Sequence, residues 1–176
     1  MAALETTAPQ PCSLCARPEA DHDDAACSFG WTPALPPLRV WTARISWRGE
    51  GRLDITRKSG TAGLFLAPSW AILRPALDVR VQAMARRSVA VEEAKRGDHP
   101  AAQALFDESI RVEAEAWARY VPLYVAEMRV SYRANVEAWA ELLASRERTL
   151  VCYCTDAARC HRRLLALMLV KCGAVD

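Results

Sequence analysis

Three thiols, an imidazole and three guanidiniums fall within twelve consecutive residues, from Cys152 to Arg163: Cys152-Tyr-Cys154-Thr-Asp-Ala-Ala-Arg159-Cys160-His161-Arg162-Arg163. These residue types can form a reactive thiolate, a metal centre or an anion clamp. An apolar strand expected over Thr149–Tyr153 runs into the segment, and an apolar helix expected over about Ala157–Cys172 leaves it. Open α/β sheets place ligands at the carboxyl ends of strands, beside such helix starts. The helix end also supplies unpaired N–H groups and partial positive charge.

Three readings of the box stay open. In the first, Cys160 near the first helical turn has a lowered pKa, helped by Arg159, Arg162 and Arg163. His161 then moves protons, and Arg162 holds a phosphate or carboxylate. Asp54 and Arg57, at the end of another strand, complete the cleft. Arg44, on the polar face of the first strand, joins the anion-binding set. In the second reading, Cys152, Cys154, Cys160 and His161 bind a metal. Two helical neighbours such as Cys160 and His161 would diverge by about 100°, which makes shared coordination awkward. In the third, the cysteines are small core hydrophobes and the charged groups decorate the surface. A phosphatase is excluded, because its Cys-x5-Arg spacing is missing: six positions past Cys154 stands Cys160.

A second cysteine group lies near the N-terminus. Cys12-x2-Cys15-x6-His22-x4-Cys27 offers three thiolates and one imidazole, a set that suits structural Zn2+. It resembles a zinc knuckle with two extra residues before its histidine. So small an apolar complement, chiefly Phe29 and Trp31, leaves metal binding to drive its folding.

A chain of 176 residues that is 52% hydrophobic can build one domain with a real core and an appendage. The division expected is a flexible start and Cys/His module over residues 1–31, a proline-rich linker over 32–37, and an α/β domain over 38–176. Its fold class is α/β, a small mixed sheet of about three to five strands packed with helices. Val40–Trp47 alternates, with Trp41, Ala43, Ile45 and Trp47 on one face, and predicts a half-buried strand. Leu53–Thr56 predicts another. The basic, glycine-containing turn Arg57–Gly63 follows, and Ser69 is placed to cap a short helical turn. A weak helical stripe over Val81–Val91 ends at Gly97-Asp98. His99-Pro100 opens a helix whose Phe106, Ile110, Ala114, Trp117 and Val121 are expected to face the core. After Pro122 a second stripe runs through Val125, Met128, Tyr132, Val136, Trp139 and Leu143.

Net charge is only +2, from 23 basic and 21 acidic side chains, which argues against a cationic nucleic-acid coat. Seven clustered cysteines and no basic-then-apolar leader over Met1–Gln10 make cytoplasm the expected compartment. No apolar run reaches membrane-spanning length.

Leu150-Val151-Cys152 followed by Cys160-His161-Arg162 resembles the family called domain of unknown function 488, which includes YeaO-like bacterial proteins. Leu53-Asp54-Ile55-Thr56-Arg57 is similar to that family's Leu-Val-Asp-Val-Arg element. The resemblance covers about residues 38–175; Cys154 and the N-terminal module depart from it. It implies an α/β fold with the site at the Cys-His-Arg box. The function expected is an anion-recognising domain, a cysteine-dependent enzyme on a nucleotide-like, phosphorylated or nucleic-acid-related substrate. The alternative is a non-catalytic zinc adaptor for nucleic acid or a protein.

Overall fold

The computed structural model describes residues 37–175. The Cys12, Cys15, His22, Cys27 set and the linker as far as Pro36 lie outside the described residues.

Three strands, β1 (Arg39–Arg44), β2 (Arg52–Asp54) and β3 (Glu147–Cys152), form a sheet in the order β1-β3-β2. Both pairings are parallel, so the described sheet is parallel where a mixed one was expected. β3 is the centre strand, and Thr149 through Cys152 are all buried. A near-continuous apolar run is what a strand flanked on both edges and covered on its faces requires. β1 is shorter than its alternation predicted. Ala43, Ile45 and Trp47 are half-buried as the alternation predicts, with Thr42, Arg44 and Ser46 exposed, but Trp41 is 50% exposed and the fully buried residue of β1 is Val40.

Between β2 and β3 the chain makes two long helices. α1 (Trp70–Lys95) and α2 (His99–Ala134) are joined by a tight turn, followed by α3 (Val136–Ala144). Asp98 caps α2 by accepting from the Ala101 N–H at 3.0 Å, and Pro100 sits in its first turn, as predicted. Ser69 precedes the full-length α1 and not a short turn; its N–H donates to Glu127 on α2. Pro122 neither stops nor restarts α2. Tyr120, Tyr124, Met128 and Tyr132 are buried on either side of it, so packing carries the helix through the lost hydrogen bond. These residues also correct the expected stripe. Phe106 and Ile110 are exposed, and the buried face of α2 runs instead through Ala102, Ser109, Tyr120 and Tyr124.

α4 (His161–Lys171) closes the fold, placing Leu165, Met168 and Leu169 in a core with Leu38, Val40, Ile55, Tyr124, Trp139 and Leu150. Among the described residues no helix is long and apolar enough to cross a membrane.

Candidate metal centre and adjoining cavity

The parallel register brings the carboxyl ends of the strands together: Arg44 pairs with Cys152, and Asp54 with Val151. The chain leaves β3 through a loop in which the Asp156 carboxylate accepts from the Ala158 N–H at 2.8 Å. It then enters α4 at Cys160. That residue is the N-cap and has extended backbone (φ −136°, ψ 138°), not helical backbone. The divergence expected of two helical neighbours therefore does not apply, and Cys160 and His161 turn toward the same point.

Cys152, Cys154, Cys160 and His161 place one ligand atom each within 4.8 Å of one another, a cluster that could hold a metal ion. The sulfurs of Cys152 and Cys154 are 3.5 Å apart, and Cys152 Sγ is 3.8 Å from His161 Nδ1. Zn–S bonds of about 2.3 Å at tetrahedral angles set sulfurs about 3.8 Å apart, so the cluster is nearly at coordination size. The other imidazole nitrogen, Nε2, lies 3.1 Å from the Ile55 carbonyl just past β2. A carbonyl can only accept, so Nε2 carries a proton, and Nδ1, on the side of the sulfurs, is the nitrogen that would coordinate once its own proton is displaced. Orientation of a ligating histidine by a backbone carbonyl is the usual outer support of a metal site.

Cys160 is 1% exposed and His161 5%. Hydrogen bonds from the Cys154 and Cys160 thiols, reinforced by His161, push the Cys152 thiol far down against the cost of burial. Cys160, hydrogen-bonded to Cys152 and Cys154 and buried, is pushed far up. Burial works against a charged His161, but its bonds to Cys152 and Cys154 outweigh it and raise the imidazole to about 9.

The other sequence-predicted residues stand around this cluster with different work. Asp54 accepts from the Thr56 N–H at 3.0 Å, from Thr56 Oγ1 at 2.7 Å and from Ser59 Oγ at 2.8 Å. These bonds, with Arg52, hold its carboxyl below the usual range although burial opposes them. The turn it organises wraps closely: a Cβ on Gly63 would stand 2.3 Å from the Asp54 carbonyl oxygen, so only glycine fits. Arg57 donates to the carbonyls of Pro68 (3.0 Å) and Ala67 (2.6 Å), tying this turn to the start of α1. Arg162 is buried and donates to Ala43 O at 2.6 Å, bracing the end of β1 against α4. Arg44 is exposed.

A cavity of about 320 Å³ opens beside the cluster, between the α1–α2 pair and the Cys154–His161 loop. Cys154 and His161 form part of its wall. Leu73, Leu77, Met84, Trp117 and Tyr120 supply apolar surface, and Arg80, Arg87 and Arg159 bring positive charge. Arg87 is bound to Ser109 Oγ (3.0 Å) and to Glu113, whereas Arg159 approaches Glu113 at 3.6 Å and Arg80 donates to Thr155 Oγ1 at 2.9 Å. Asp54, Arg57, Arg162 and Arg44 are not among the lining residues. Sequence reasoning missed Arg80 and Tyr120. Both sit on long helices, where no local pattern separates a cavity wall from an ordinary helix face.

Residues 100–173 match the family model DUF488-N3a, described as the active DUF488-N3 subclade. Over this stretch the chain is similar to the DUF488 family. The DUF488 match takes in α2, α3, β3 and α4 with all four cluster residues, while β1, β2 and α1 precede it. No curated protein and no solved structure matches the chain.

Proposed function

We propose that this domain is an anion-recognising unit built on a zinc centre. Cys152, Cys154, Cys160 and His161 take one Zn2+, and the adjoining cavity receives a small phosphorylated or carboxylated molecule. The observation that carries the reading is the convergence of the four donor atoms, with Nδ1 turned toward the sulfurs by the Nε2–Ile55 bond. Zinc is favoured over harder cations because three of the four donors are sulfur. The cationic partners are Arg80 and Arg159 at the cavity; the guanidiniums of Arg57 and Arg162 are turned onto backbone carbonyls. That the matched model describes an active subclade agrees with a site that retains its chemistry.

Metal content separates this centre from the N-terminal set. Purified Cys12→Ser/Cys15→Ser protein should keep about one zinc per chain, and its cobalt form should have the intense visible bands of a thiolate-rich tetrahedral site. Adding Cys152→Ser/Cys154→Ser to that same protein should remove the bands, and bands that persist there refute the assignment.

A second reading rests on the same groups. Without metal, Cys152 is a thiolate beside a protonated His161, a pair suited to nucleophilic chemistry. Rapid alkylation of Cys152 in protein as purified favours that reading; protection that a chelator removes favours zinc.

A further inference from the structure

The α1–α2 pair keeps its small residues inside and its large apolar ones outside. Ala83 and Ala90 are the buried residues of α1, and Ala102 and Ser109 are those of α2 before Tyr120. Leu77, Val81 (65% exposed), Met84 (57%), Val91, Phe106 and Ile110 face outward instead. A surface helix serving only its own chain turns such residues toward the core. Small residues along the shared seam let the two helices approach closely, and the larger side chains are left for a further layer.

The exposed residues form a seam and not a scatter. On α1 they stand at 77, 81, 84 and 91, and Ser88 completes the alternating steps of four and three by which one helix packs on another. Phe106 and Ile110 repeat the step of four on α2. Both stripes lie on one side of the pair. The Arg87 guanidinium, one turn past Met84, stands over the Phe106 ring at 5.9 Å, and Leu77 and Met84 share the cavity wall with Trp117. Arg87, the cation between the stripes, is bound to Glu113 within the chain, so a like surface meets no open charge there.

Together the six residues expose the area of about three whole side chains, or roughly 600 Å². That is about the largest apolar patch a monomer leaves open, and two such faces bury about 1,200 Å² from these side chains alone, enough for a specific dimer. We propose that this side of the α1–α2 pair docks on the same side of a second copy, so that two helix pairs close into a four-helix bundle. A two-helix layer is self-complementary in this sense: its copy supplies the missing layer with the same apolar seam.

The test is analytical sedimentation of the full-length protein in reductant. The parent is expected to be a dimer over about 1–100 μM. Val81→Glu/Ile110→Glu sets four carboxylates into the seam of one dimer and should weaken association roughly a hundredfold or more. Both positions are exposed in the single chain, so its helix content by circular dichroism should match the parent. If helix content falls, Val81→Ser/Ile110→Ser, which adds no charge, takes its place with an expected loss of about tenfold. Val130→Glu changes a residue as exposed as Val81, about 30 Å along α2 from Ile110, and should leave the dimer intact. A parent that stays monomeric at about 100 μM overturns the proposal. If that monomer sediments with phosphatidylcholine–phosphatidylglycerol vesicles, the face belongs to a lipid surface instead. A dimer whose affinity the folded seam variant leaves unchanged also overturns it, because the contact then lies elsewhere.

Discussion

Replacing Cys154 by serine tests the metal centre where the fold tolerates it best. Cys154 is half-buried and lies beyond the end of β3, whereas Cys152 and Cys160 are sealed in the core. The change removes one sulfur while leaving the strand register and the His161–Ile55 bond in place. Structural zinc sites bind with about 10–16 kcal/mol, so one of four ligands accounts for roughly 2.5–4 kcal/mol, or about 10²–10³ in affinity. A serine oxygen is a poorer zinc ligand than a thiolate and recovers only part of that. The assay is competition against a chromogenic zinc chelator, carried out on the Cys12→Ser/Cys15→Ser background so that one set of donors is read. The cobalt form should also lose thiolate charge-transfer intensity. An affinity within threefold of the parent, with an unchanged cobalt spectrum, would refute the claim that this sulfur coordinates.

Two further outcomes follow from the bonds that frame the cluster. Asp54→Asn should lower stability by about 1–2 kcal/mol at neutral pH in urea unfolding, since it weakens three hydrogen bonds to Thr56 and Ser59. The Asp54 pKa is depressed by folding, so its contribution is fully present above the unfolded carboxylate value, near 3.9, and is lost as pH falls through the lower folded one. The gap between parent and variant should therefore narrow in acid; a gap that widens below pH 4 contradicts this account. Arg162→Ala should cost about 2–4 kcal/mol by the same measurement, because the Ala43 and Cys152 carbonyls lose their charged donor. A loss under 0.5 kcal/mol would show that the guanidinium does not brace these strands.

Local patterns in the sequence determined the position of the Cys-His-Arg box at a strand-to-helix handover. They also placed His99-Pro100 at the start of α2, and the apolar run that becomes the buried centre strand. Each of these is a property of neighbouring residues: turn chemistry, capping or a run of side chains. Tertiary structure decided the rest. Helical spacing defines a stripe, but the neighbour that covers the helix selects its phase; Tyr120 and Tyr124 were buried in place of Phe106 and Ile110. The convergence of Cys160 and His161 turned on one extended residue at the helix cap. The orientation of the imidazole depended on a carbonyl 106 positions away. The cavity arose where two long helices met the Cys154–His161 loop, and no single segment encodes that meeting.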